Sequence, residues 1–122
     1  MTENWLQYFP LTEPREEQIK SINFIIDALF IRDKFQFIIT GSDVDKGKPD
    51  PEIFIKAANA LGVEHEKCLV IEDGNAGVLA AQATNMKCIA VGDHIDKSIL
   101  TKNSVYIETL EKVDLEFMNR LF

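Results

Sequence analysis

The chain has 122 residues, enough for one domain and too few for two of ordinary size. Its hydrophobic share of 46% can support a core, while a formal net charge of −7 speaks against unaided binding of a polyanion. Basic patches interleaved with aromatics are missing, so nucleic acid is not an expected partner. No apolar run approaches the roughly 20 residues that span a bilayer, so neither is a membrane.

Residues 1–12 show no periodicity and read as an irregular N-terminal arm that Trp5, Tyr8 and Phe9 pin to the body; residues 13–122 form the domain. The opening Met1-Thr2-Glu3-Asn4-Trp5 is polar and has no signal-peptide core, which gives a cytoplasmic expectation. From Glu13 to Phe30 the pattern is helical: Pro14 suits a first turn, Glu16 and Glu17 suit a helix N-terminus, and Ile19 to Leu29 supply an apolar face. Phe35 to Thr40 reads as a short strand, and Gly41 to Lys48 as a polar loop. Asp50 can cap the next helix, with Pro51 at its first position and Gly62 as its stop. Cys68 to Ile71 is a continuous apolar run, as in a parallel strand covered on both faces. An alanine-rich helix follows from Asn75 to about Thr84, with Asn85 as a left-handed terminator. Cys88 to Val91 and Ser104 to Ile107 are two further strands, and Leu110 to Leu121 a closing helix. Strands alternating with helices define an α/β class with a parallel sheet.

In such a sheet the ligand site lies beyond the carboxyl ends of the strands. Glu72 and Asp73 stand there, directly after Cys68–Ile71. Two adjacent carboxylates make a hard oxygen site suited to Mg²⁺; they also suit the positive end of a helix, so capping is an alternative role. Gly74 and Gly77 let the backbone turn tightly into the following helix. Lys48 precedes Pro49, which keeps its backbone extended and delivers its ammonium near a helix start. A solvated loop lysine is the alternative there. Cys68 and Cys88 lack disulfide or metal spacing and read as free core thiols. His65 and His94 sit in polar loops and form no Cys/His cluster.

With these residues in view, the sequence from about Asn23 to Asp93 resembles the haloacid dehalogenase superfamily, close to its β-phosphoglucomutase and phosphoglycolate phosphatase branch. The text that carries the resemblance is Asp33 to Val44, then Gly47-Lys48-Pro49-Asp50-Pro51-Glu52-Ile53-Phe54, then Val70-Ile71-Glu72-Asp73 with Gly77, Ala80 and Ala81. The resemblance implies that Lys48 is catalytic and phosphate-binding, the family's third-motif lysine. It implies that Glu72 and Asp73 are metal ligands, the fourth-motif acidic pair at the Mg²⁺ site. It implies an aspartyl-phosphate route in complete members, with a phosphorylated small molecule as substrate.

The departures are as informative. The family's Asp-x-Asp-Gly motif, which supplies the nucleophile, does not occur, and none of Asp43, Asp45 or Asp50 is an obvious replacement. No Ser or Thr of a second motif follows a strand near Glu16–Gln18, and the cap domain is missing. The expected architecture is therefore an incomplete Rossmann-like sheet without its nucleophile strand, the edge of Cys68–Ile71 left open. Such an edge calls for a homo-oligomer or a partner chain. The expected function is a truncated, catalytically impaired phosphohydrolase or phosphomutase with a weak Mg²⁺ site. The alternative is a non-catalytic binding module or a fragment completed by another chain. Tyr8-Phe9-Pro10 with Gln18 is similar to the glutamine motif of some superfamily 2 helicases, but Gly41 to Pro49 has the wrong spacing for a phosphate loop and a proline after its lysine.

Overall fold

The computed structural model describes residues 25–122. The N-terminal arm, its Trp5 anchor, most of the Glu13–Phe30 helix and Gln18 lie outside the described residues. Residues 25–28 are helical, and Phe30, at φ 54°, ends that run where the sequence expects it to end.

Helix α1 spans Glu52–Leu61. Pro51 stands just outside it, and the Asp50 carboxylate accepts the Glu52 N–H at 3.0 Å, so Asp50 caps the first turn as expected. Gly62 closes it in the left-handed conformation, φ 66°, which a residue with a side chain rarely adopts. Strand β1 is Leu69–Glu72, helix α2 is Asn75–Gln82, strand β2 is Lys87–Val91 and strand β3 is Ser104–Ile107. Asn85, at φ 61°, makes the left-handed turn between α2 and β2. The sheet is parallel, in the order β1-β2-β3, with Ile71 opposite Ile89 and Ile89 opposite Val105.

The core lies between α2 and the sheet. Val78, Ala81, Met86, Cys88 and Ala90 are buried there together with Ala58, Val70 and Ile95. β2 is central, and Cys88, Ile89 and Ala90 are all buried, so both its faces are covered. Fully burying a side chain the size of Ile89 stabilises by about 1.5–3 kcal/mol. Gln82 ties α2 to the third strand, donating to Ser104 Oγ at 3.0 Å and to Ile99 O at 2.9 Å.

Three expectations are corrected. Phe35 to Thr40 is not a strand: no described neighbour offers it a ladder, and the Thr40 N–H turns instead to the Asp43 carboxylate at 2.6 Å. β1 is not covered on both faces among the described residues, where it is also an edge strand; Val70 and Glu72 are buried while Ile71 is 47% exposed. The closing helix is broken in two. Thr109 caps a short 3₁₀ turn at Leu110–Lys112, and Asp114 accepts the Phe117 N–H at 2.7 Å to start α3, Leu115–Asn119. A second cap in the middle of the apolar pattern restarts the helix.

Candidate functional site

The site is assembled at the carboxyl end of β1. The strand delivers Glu72 to the buried side of the sheet, pointing at the first turns of α2. The same alternation sends Ile71 outward and leaves Asp73, just past the strand, exposed.

Glu72 has only 9% of its side chain exposed. Two neighbours accommodate it. The first is Gly77: a Cβ there would fall inside the Glu72 carboxylate, so only glycine leaves room for the acid. Gly74 and Gly77 are expected to turn the chain; Gly74 has φ −131° and free space around it, and Gly77 lies within α2, where its reason is close approach rather than turning. The second neighbour is Lys48, whose ammonium donates to Glu72 Oε1. A buried carboxylate without a partner would be expensive, and the ion pair meets that cost. Glu72 is felt in the core as well: burial pushes the Cys88 thiol up to about 11, and the nearby carboxylate adds to the rise. Cys68 is half-buried, with its thiol raised by burial, and both cysteines are free thiols.

Lys48 reaches the acid from the loop before α1. Its side chain is 38% exposed, and its Nζ lies 5.5 Å from the centre of the Phe54 ring. That distance is within cation–π range. The Lys48–Pro49 peptide is cis. Asp73 makes no ion pair or hydrogen bond through its carboxylate with a described residue. The structure thus brings together two of the three residues singled out in the sequence, Lys48 and Glu72, and leaves the third open beside them. Among the described residues no group of three or more His, Cys, Asp or Glu stands in metal-binding proximity.

Sequence reasoning missed Glu52, the first residue of α1. Its carboxylate reaches back over the loop, accepting the Asp45 N–H at 3.1 Å and the Lys46 N–H at 2.8 Å, and it pairs with Lys56 at 2.8 Å. These bonds, the Lys56 ammonium foremost, hold the carboxyl down at about 2. A glutamate directly after Pro51 and four residues before Lys56 gives a sign of the helix ion pair but none of the two backbone donors.

A family profile described as haloacid dehalogenase-like hydrolase matches residues 12–91. This chain belongs to that family. The match begins upstream of Asn23, so the segment around Gln18 falls inside the haloacid dehalogenase-like region. The chain is 40% identical over 80 residues to the chloroplastic 5-amino-6-(5-phospho-D-ribitylamino)uracil phosphatase of Arabidopsis thaliana, a stretch covering 66% of this chain and 20% of that protein. It is 41% identical over 68 residues to β-phosphoglucomutase of Bacillus subtilis, covering 56% and 30%. A solved β-phosphoglucomutase from Clostridium difficile superposes with a TM-score of 0.71 at 30% identity, over 84% of this chain and 44% of that one. The chain therefore spans less than half the length of these haloacid dehalogenase-like relatives. The three-stranded parallel sheet with flanking helices matches their Rossmann-type fold over that part. Among the described residues no helix is long and apolar enough to cross a membrane.

Proposed function

We propose that Lys48, Glu72 and Asp73 form the anion-and-metal half of a phosphoryl-transfer site that takes a phosphorylated small molecule. The reading rests on one observation: the Lys48 ammonium donates to the buried Glu72 carboxylate at the carboxyl end of a parallel strand, with the open Asp73 carboxylate next in the chain. Ligands of open α/β sheets bind beyond strand ends of this kind.

The ammonium has three donors and Glu72 takes one, so the others remain for phosphoryl oxygens. Glu72 holds the amine and fixes its direction, and Phe54 lies along its flank. Asp73 and the second oxygen of Glu72 are hard donors of the type Mg²⁺ accepts, and that ion needs only one or two carboxylates beside phosphate and water. The donor set fits the ion as an incomplete shell, so its affinity here is weak. When bound, the ion would neutralise charge on the phosphoryl oxygens.

A covalent step needs a nucleophile. The sequence contains no Asp-x-Asp-Gly, and two of the nearby aspartates, Asp43 and Asp50, are held in local hydrogen bonds. Asp43 accepts from Thr40 N and Oγ1 at 2.6 and 2.8 Å, and Asp50 accepts from Glu52 N. The 122-residue polypeptide thus supplies the electrostatic part of the chemistry and is impaired in the covalent part. The test is turnover of p-nitrophenyl phosphate by the purified chain with Mg²⁺. Negligible turnover is expected; robust Mg²⁺-dependent turnover that disappears in Asp73→Asn would contradict the impaired reading.

A second reading is favoured by the edge of β1, which no strand pairs among the described residues: a non-catalytic module, or a subunit completed by a partner chain or a second copy. Both readings keep the same three residues at the site.

A further inference from the structure

The loop that carries Lys48 is polar, which raises the question of what gives its ammonium a fixed position. The loop is tied at four places. Val44 is buried, 9% exposed, in an otherwise exposed stretch. The Lys56 ammonium donates to Asp43 O at 2.5 Å. The Asp45 and Lys46 N–H groups both donate to the Glu52 carboxylate. The Asp50 N–H donates to Gly47 O at 3.1 Å. The Asp45 and Lys46 bonds converge on one carboxylate, which the Lys56 ammonium also holds. Glu52 and Lys56 lie one turn apart on α1, and that helix also carries Phe54 against Lys48.

We infer that Glu52 is a positioning residue for Lys48: with Lys56 it clamps the 43–46 backbone to the first turn of α1 and so sets the ammonium against Glu72. The inference rests on the reading of Lys48 as the phosphate ligand. It adds a residue that touches neither phosphate nor metal. Helix-end electrostatics alone would favour an acid at this position, but would not require its oxygens to receive two backbone donors six and seven residues upstream. Charge-assisted bonds to backbone N–H groups are the strong class of hydrogen bond, and loop geometry depends on them.

The test uses protein with ¹³C-labelled lysine. Two quantities are read in wild type, Glu52→Ala and Glu52→Gln: the Lys48 ε-methylene signal without ligand, and the affinity for inorganic phosphate in the presence of Mg²⁺. In Glu52→Ala the Lys48 signal should move to the position of a free lysine, and phosphate affinity should fall about tenfold, the worth of one charged hydrogen bond. The unfolding midpoint should fall as well, since two backbone bonds and an ion pair are lost, so both quantities are read under conditions where each variant is folded. Glu52→Gln should be intermediate, because its amide oxygen keeps one acceptor for the loop. A Lys48 signal and a phosphate affinity at wild-type values in Glu52→Ala would overturn the inference. Should Glu52→Ala fail to fold, Glu52→Gln and Lys56→Met carry the same comparison. Absence of phosphate binding in wild type would contradict the functional reading instead, and the Lys48 signal would still decide the clamp.

Discussion

Glu72 turns the end of an edge strand into a chemical site. Its carboxylate occupies space that exists only because residue 77 has no side chain, and it meets a cation supplied from a loop 24 positions earlier. Gly77→Ala separates stability from site geometry. Alanine inside a helix is favoured over glycine by about 1 kcal/mol. The atoms that the new methyl would meet are the far end of a flexible side chain, which can swing away. The two effects oppose each other, so denaturant unfolding should shift by no more than about 1 kcal/mol. Glu72, however, must leave its place, and the Lys48 ammonium must lose its partner. A variant with wild-type stability and an intact Lys48–Glu72 pair, read from the Lys48 side-chain signal, would show that Gly77 is not the cradle. Cys88 lies close to the same acid: burial raises its thiol, and the Glu72 carboxylate adds to that rise.

Among the elements, β1 is where sequence and structure diverge most usefully. Its apolar text, Cys68-Leu69-Val70-Ile71, reads as a strand covered on both faces. That pattern fits the central β2 and only half fits β1. Cys68 O accepts from Lys87 N, so Cys68, Val70 and Glu72 serve the ladder to β2, and the amides of Leu69 and Ile71 face outward. Periodicity reports which residues are apolar but says nothing of whether a neighbour is there to cover them, and the same blindness made a strand of Phe35 to Thr40. Helix ends were more legible, because Asp50, Gly62 and Asn85 act through local backbone chemistry. The break before α3 escaped because Asp114 looks like any surface acid until its carboxylate is seen to take the Phe117 N–H. An open, apolar edge should pair. Size-exclusion chromatography with light scattering should find the chain associating with rising concentration, and Ile71→Lys should suppress this while leaving circular dichroism unchanged. A monodisperse monomer at high concentration would contradict the need for a partner.

Over the whole molecule, the fold class and family were legible because they rest on two short stretches of text, Gly47 to Phe54 and Val70 to Gly77, together with the alternation of strands and helices. The pairing of Lys48 with Glu72 was legible only as a shared side of the sheet. The different fates of the two acids, one buried in an ion pair and one open, were not, because adjacent residues on a strand point to opposite faces and only the packed sheet says which face is inside. Glu52 was invisible for a similar reason, as its partners are mostly main chain. The central claim is that the ammonium of Lys48 and the acids of Glu72 and Asp73 share one anion-and-metal pocket. Paramagnetic Mn²⁺, which takes the same carboxylate oxygens as Mg²⁺, tests it directly. Titrated into lysine-labelled protein at substoichiometric levels, it should broaden the Lys48 ε-methylene signal before those of distant lysines such as Lys97 and Lys112, and Asp73→Asn should abolish that preference. A Lys48 signal that broadens no sooner than the others would contradict the account.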